Sequence, residues 1–372
     1  MARARDLPDS HQDKWVYSLH TRAKHEILRR YLGAWFSILG HQNPLLVILD
    51  GFAGKGKYTT GQAGSPKIIF DRAVQVVEDG RARRVEIRCV ELDATNYSEL
   101  ALLCDSLKHE NVRIDARHGA FAGAAKRLAE WAEGKKYSPP IFVSADPYGF
   151  RGVPLDVVSR LMEIDRVEVM VTFMARDMSR FLDEPNVEQP LTEFFGGDAW
   201  RQCSDAQNRP ECLLLRYREV VLASVADHVI PFRVFEDERM TILYYLVHLT
   251  NNDRGMREMK EAMVAESPDM TFWPVTVRPR EQLAMDVAEQ APFRSLQDHI
   301  LDKYEGRTLT FLEILNDDYP DGVWIEKQYR AALNALERSE EDGRRITVAR
   351  NRTTPTGRAP RGMKYADTIS FP

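Results

Sequence analysis

The stretch LLVILDGFAGKGKY, Leu45 to Tyr58, runs an unbroken apolar segment into a carboxylate, an aromatic residue and closely spaced glycines. A strand that is apolar at every position is buried on both faces, as in a parallel sheet covered by helices. Glycines directly after such a strand mark a tight turn where backbone and ligand approach closely. The junction therefore predicts an α/β chain with a ligand site at a strand's carboxyl end.

The remaining sequence keeps to that plan. Residues 20–40 carry Ile27, Leu28, Tyr31, Leu32, Trp35 and Leu39 at helical spacing and stop at Gly40, which predicts an amphipathic helix. Strands are expected at 45–50, 85–91, 111–117, 140–146 and 167–174, with helices between them at 66–78, 95–107, 120–133 and 154–163. Residues 175–228, rich in charge and aromatics, read as an insertion on the substrate side that includes a helix at 211–226. Strands near 229–236 and 241–249 fit an antiparallel edge, and a helix at 253–266 follows. The architecture is a doubly wound, Rossmann-like sheet.

A Pro-bearing stretch from Ser267 to Pro279 reads as a linker, which gives a first domain at 1–280 and a second at 287–372. In the second, a helix around 308–318, a PDG turn and a helix at 325–339 form a helix-turn-helix pattern. The strands ITV and YADTISF around a basic loop complete a winged-helix reading.

Of the 372 residues, 44% are apolar and 29% charged, the balance of an ordinary globular protein. No apolar run approaches the ~20 residues of a membrane helix, and the charged N-terminus lacks a secretory apolar core, so a cytoplasmic location without membrane association is expected. The net charge of −5 argues against indiscriminate nucleic-acid binding by the whole molecule. Cys89, Cys104, Cys203 and Cys212 show no metal-ligand spacing and are expected to be reduced, mostly buried thiols, with no metal site.

Three motif readings compete for Asp50 to Tyr58. The dinucleotide pattern GxGxxG is met by Gly54 and Gly56 but finds Thr59 at its sixth position. The phosphate-loop pattern fits Gly51, Gly56 and Lys57 but finds Tyr58 where a magnesium-binding hydroxyl belongs. Asp50 at the strand tip repels a triphosphate, whereas it tolerates a zwitterionic amino acid bearing a sulfonium. S-adenosylmethionine is therefore the expected cofactor, with Asp50, Gly51, Phe52, Gly54 and Gly56 around it. Glu91, at the end of the second strand, is the expected ligand of the ribose hydroxyls, with Asp93 the runner-up. After the third strand, Gly119 and Ala120 leave room for an adenine ring against the backbone, beside His118.

The fourth strand ends in ADPYG, where an acid followed by proline and an aromatic resembles the catalytic loop of amino methyltransferases. A ring-conjugated amine is a poor nucleophile. A hydrogen bond from its N–H to Asp146 and another to the Pro147 carbonyl shift lone-pair density toward the attacking face, while Tyr148 stacks on the planar acceptor. The other reading makes Asp146 a helix cap and Pro147 a turn former. Arg176 and Arg180 are read as facing the substrate side or as helix-surface charges.

The order KHEILRRYLGAW, ILDGFAGKGKY with GQAGSP, DPYG, FMARDMSRF, FFGGDAW, YYLVHLTNNDRGMREMKEAM, ALNALE and MKYADTISF resembles the three-Cys-motif partner protein family over nearly the whole chain. The resemblance implies a methyltransferase-like Rossmann domain followed by a winged helix, in proteins that accompany a three-cysteine, radical-S-adenosylmethionine-like protein. The front half is also similar to ribosomal RNA adenine-N6 methyltransferases, where a Lys-His pair on a helix precedes the first strand, as Lys24 and His25 do here. Lys24 is then expected to reach the cofactor carboxylate. The chain departs from their loop by carrying a single proline in Asp146-Pro147-Tyr148-Gly149.

Between Arg344 and Lys364 stand seven cations, Arg344, Arg345, Arg350, Arg352, Arg358, Arg361 and Lys364, and no acid. On a loop between two strands they are placed to follow a phosphate backbone without reading sequence, so nucleic acid is the expected partner. Taken together, the expectation is a methyltransferase of a nucleobase amino group. Two alternatives stand beside it: a non-catalytic binding subunit of the three-cysteine partner, and a nucleotide hydrolase using Gly51 to Lys57.

Overall fold

The computed structural model describes residues 17–236, 241–267, 270–272, 296–320, 322–340, 344–350 and 362–372. The chain divides into two compact units, Met1–Ala262 and Met263–Pro372. The division precedes the expected boundary at 280, and most of the expected linker lies outside the described residues.

In the first unit, helix α1 (Leu19–Gly40) is capped by Ser18, whose hydroxyl accepts the Thr21 N–H at 3.1 Å. It buries Ile27, Leu28, Tyr31, Leu32, Trp35 and Phe36. Strands and helices then alternate through β1 (Leu46–Asp50), α2 (Ser65–Glu78), β2 (Val85–Glu91), α3 (Ala94–Ser106) and β3 (Val112–His118). The alternation continues with α4 (Phe121–Glu133), β4 (Ile141–Ala145), α5 (Leu155–Met162) and β5 (Val167–Phe173). Every residue of β1, β4 and β5 is buried, which is why these runs are apolar throughout.

Within the first unit the strands are ordered β3-β2-β1-β4-β5-β7-β6, with β6 spanning His228–Phe235 and β7 Ile242–Thr250. Strands β1 to β5 are parallel; β7 runs antiparallel to both β5 and β6. This is a doubly wound, Rossmann-like α/β sheet with the antiparallel edge of a methyltransferase-type fold. The chain winds outward from β1 in one direction and from β4 in the other, so a crevice opens at the carboxyl ends of these two neighbours.

A buried carboxylate ties α1 to the far end of the sheet. Glu168, 6% exposed on β5, accepts the Tyr31 hydroxyl, the Trp35 indole N–H at 3.1 Å and a bond with His248 Nε2 of β7 at 3.0 Å. Gly255 is needed opposite it, since an added Cβ would lie 2.7 Å from a Glu168 oxygen.

The 175–228 segment, read as a substrate-side insertion with one helix, is largely helical. It contains α6 (Ala175–Phe181), α7 (Glu188–Phe195), a 3-10 turn at Ala199–Cys203 and α8 (Arg209–Ser224). Its aromatics cluster, with Phe194, Phe195 and Tyr217 packed around Phe173 of β5. The expectation of four reduced cysteines is corrected here. The 3-10 turn and the start of α8 bring Cys203 and Cys212 to a Cα separation of 5.6 Å, and they form a disulfide. Cys89 and Cys104 are free and buried. A final helix α9 (Asp253–Glu266) follows β7.

From Leu296 onward the described elements of the second unit are a helix at Leu296–Tyr304, a strand at Thr308–Thr310, helices at Phe311–Asp318 and Glu326–Glu337, and strands at Thr347–Ala349 and Thr368–Ser370. The three strands make an antiparallel sheet with Thr368–Ser370 in the centre. The helix expected from 308 starts at 311 instead. Thr310 closes a capping box with Glu313, and Thr308, Leu309 and Thr310 pair with the C-terminal strand. Asp318 is a buried acid of this unit, holding the Tyr329 hydroxyl at 2.6 Å, Lys303 at 2.7 Å and His299 at 2.8 Å.

Candidate cofactor and acceptor site

Apart from Lys24 of α1, the residues expected on the cofactor and the acceptor sit at or just after the carboxyl ends of parallel strands. After β1, the Gly51 N–H donates to Ser144 O of β4 at 2.8 Å and the Ala53 N–H to Val90 O of β2 at 2.9 Å, so the chain is stitched to both neighbouring strands. Gly54 and Gly56 then take φ of +60° and +77°, the left-handed region that glycine enters without strain. A Cβ on Gly56 would lie 2.3 Å from Leu103 Cδ2, and one on Gly51 2.3 Å from Phe121 Cδ2. Both positions therefore need glycine for space, and Gly56 also for conformation. Phe52 stacks on Phe121 with ring centroids 5.5 Å apart.

Asp50 lies beneath this bend, 1% exposed. The Ser65 hydroxyl of α2 and the Phe52 N–H donate to its carboxylate, while Oδ2 has no hydrogen-bond partner among the described residues. Burial is the main reason its carboxyl is pushed up to about 7, and the nearby Asp146 carboxylate adds to the rise.

Asp146, directly after β4, forms an ion pair with Lys24 of α1. The residue expected on the acceptor amine and the one expected on the cofactor carboxylate are thus bound to each other. Thr172, at the end of β5, also donates to Asp146. Burial acts against the charged forms of both partners. Their mutual attraction outweighs it, holding Asp146 below its ordinary value and Lys24 above its own.

His25 follows on the same helix, 2% exposed, its Nδ1 without a hydrogen-bond partner among the described residues. Burial and then the Lys24 charge depress it to about 3, so it is a neutral imidazole near pH 7. The rings of Tyr17 and Tyr58 pack against it at 5.6 Å and 5.9 Å. Thr21 bonds the Tyr58 hydroxyl, and burial pushes that hydroxyl and the Tyr244 hydroxyl upward.

At the neighbouring strand tip, Glu91 is half-buried and accepts the Asp93 N–H at 2.7 Å. The Asp93 side chain is committed elsewhere, capping α3 through the Thr95 and Asn96 N–H groups at 2.9 and 2.8 Å. Of the two acids, geometry leaves Glu91 at the sheet tip. Gly119, φ +146°, precedes Ala120, the cap of α4, and an added Cβ there would meet no atom within 4 Å. His118 is exposed and bonds Leu92 O at 2.9 Å. Pro147 is buried, whereas Tyr148 is 76% exposed on a turn closed by Gly149 at φ +87°.

Arg176 is ion-paired with Glu236, and Arg180 lies over the Phe181 ring at 5.1 Å. In the second unit, Arg350 makes a two-pronged pair with Glu337 at 2.6 Å, and Arg344 pairs with Asp298 at 2.6 Å. Arg345 and Lys364 are exposed; Arg352, Arg358 and Arg361 lie outside the described residues. Sequence reasoning did not single out Ser65, Tyr58, Thr172 or Tyr244. Only the fold brings them to Asp50 and Asp146, and no local spacing announced it.

No protein-family profile matches the chain, and no curated protein does. Among solved structures, it is similar to human methyltransferase-like protein 13 in complex with SAH, at 12% identity, with 74% of this chain and 100% of that one covered and a TM-score of 0.34. It is also similar to precorrin-6y C5,15-methyltransferase from Geobacter metallireducens, at 8% identity, with 64% and 92% covered and a TM-score of 0.31. Among the described residues no group of three or more metal-ligating side chains occurs, and no helix is long and apolar enough to cross a membrane.

Proposed function

We propose that the chain is an S-adenosylmethionine-dependent methyltransferase acting on an amino group, a nucleobase of RNA or DNA being the acceptor, in company with a three-cysteine, radical-S-adenosylmethionine-like partner. One observation carries the reading. The crevice between β1 and β4, where the winding of the sheet reverses, gathers a glycine bend, the buried acid Asp50 and the Lys24–Asp146 pair.

The residues present fit this cofactor. Lys24 supplies a cation for its carboxylate, Glu91 an acceptor for its ribose hydroxyls, and the clearance at Gly119 leaves a place for its adenine. The orphaned Oδ2 of Asp50 adds a buried negative end suited to a cationic ligand. When bound, the cofactor supplies an electrophilic methyl whose departure from sulfur needs no metal. Asp146 accepts a hydrogen bond from the acceptor N–H once Lys24 has turned from it, and Thr172 keeps the carboxylate oriented meanwhile. The exposed Tyr148 offers a face for stacking a planar base.

A second reading, a non-catalytic binding subunit of the same partner, draws on one observation: Asp146 already has its countercharge in Lys24. Purified protein given methyl-labelled S-adenosylmethionine with RNA or DNA, with and without the partner, separates the two. Transfer of label supports the enzyme. Salt-sensitive nucleic-acid binding without transfer supports the binding subunit.

A further inference from the structure

The neighbours of Asp50 compensate its charge only in part. Lys24 favours the Asp50 carboxylate but is itself ion-paired with Asp146. Ser65 and the Phe52 N–H donate as neutral dipoles. Asp146 and Tyr58 face it from the loops after β4 and β1, and Cys89 and Cys104 from β2 and α3, all acids or neutral groups. A carboxylate buried to 1% with one oxygen unpartnered is costly as an anion unless a cation arrives beside it.

The proposed cofactor and its product differ in the property that matters here. S-adenosylmethionine bears a sulfonium; S-adenosylhomocysteine has a neutral thioether and otherwise the same amino acid and nucleoside. Resting on the methyltransferase reading, we propose that Asp50 is the group by which this site distinguishes cofactor from product: its carboxyl releases a proton to solvent when the sulfonium form binds and keeps it when the thioether form binds.

Burial pushes the Asp50 carboxyl up to about 7, so before a ligand binds it exchanges a proton with solvent in this range. A sulfonium close by favours the carboxylate, so affinity for S-adenosylmethionine rises with pH through this range. Affinity for S-adenosylhomocysteine gains nothing from the same change. After methyl transfer the ligand keeps its ammonium but loses the sulfonium charge, so the Asp50 anion loses a countercharge and takes up a proton from solvent. Product is thereby held less tightly than the incoming cofactor.

Calorimetric titration of the full chain at pH 7, in two buffers of different ionisation enthalpy, counts the protons for each ligand. Release by S-adenosylmethionine is expected to exceed that by S-adenosylhomocysteine by about half a proton per site, and the ratio of their affinities to rise about tenfold from pH 6 to pH 8. Asp50→Asn abolishes both differences. Equal proton counts and a constant ratio in the unaltered protein would overturn the proposal whether or not the variant folds. Failure of both ligands to bind would instead remove the methyltransferase reading and this inference with it.

Discussion

Replacing Lys24 by Met leaves the Asp146 carboxylate at a largely enclosed strand end with Thr172 as its remaining side-chain donor. Two unit charges about 4 Å apart attract by about 4 kcal/mol at an effective dielectric of about 20, and solvent reaching the part-exposed Asp146 and Lys24 screens roughly half of that, while the burial cost of each group cancels in the cycle. The pair should therefore couple by about 2 kcal/mol. Equilibrium urea unfolding of the full chain, its Lys24→Met and Asp146→Asn variants and the double variant measures that coupling as a double-mutant cycle. The sign with pH follows from the shifts. Asp146 is held below its ordinary value near 3.8, so its share is present above that pH and is lost as pH falls through the depressed value. Lys24 is held above 10.5, so its share is present below that pH and is lost as pH rises through the raised value. A coupling that is flat between these limits and vanishes in acid is expected. A cycle that closes to zero at pH 7 would refute the reasoning, because it would make the pair a solvent-screened surface contact.

Gly56→Ala should both strain the backbone at φ +77° and clash with Leu103, abolishing S-adenosylhomocysteine binding in calorimetry. Gly61→Ala, at φ +89° with nothing within 4 Å, should cost only about 1 kcal/mol by urea unfolding. Glu168→Leu strands the Tyr31 hydroxyl and the Trp35 indole N–H in the interior and should destabilise the chain by about 3 kcal/mol in the same assay. Reducing the Cys203–Cys212 disulfide, which closes a short loop, should cost about 2.5 kcal/mol, seen as a lower melting temperature in dithiothreitol. If nucleic acid binds the second unit, Arg345→Ala or Lys364→Ala should each reduce the salt slope by about 1. Arg350→Ala should leave it nearly unchanged, since Glu337 already neutralises that cation.

The sheet was legible because burial on both faces leaves its mark residue by residue. LVILD, IFVSA and VEVMVTF have no polar alternation to mistake, and the observed β1, β4 and β5 fall on them. The bend after β1 was legible because positive φ selects glycine at Gly54 and Gly56. What escaped depends on contacts across the sequence. Cys203 and Cys212 meet only because a 3-10 turn folds back on α8, and spacing alone announces no such turn. Glu168 reads as an ordinary acid in a strand until Tyr31, Trp35 and His248 converge on it from α1 and β7. Lys24 and Asp146 stood as separate cofactor and acceptor ligands in sequence, more than a hundred residues apart; winding β4 beside β1 makes them one pair. The second unit's basic segment looked uniformly available to phosphate, yet Arg344 and Arg350 are answered by Asp298 and Glu337 from helices elsewhere in that unit.

The central claim is that the crevice between β1 and β4 holds an adenosyl cofactor with Glu91 on its ribose. Calorimetric titration of the full chain with S-adenosylhomocysteine tests it most directly. Binding near micromolar strength, about −8 kcal/mol, is predicted for the unaltered protein, with Glu91→Ala weakening it by about 1 to 2 kcal/mol through the lost charge-assisted bonds. No binding heat at any accessible concentration, or equal affinity in the Glu91 variant, would contradict it.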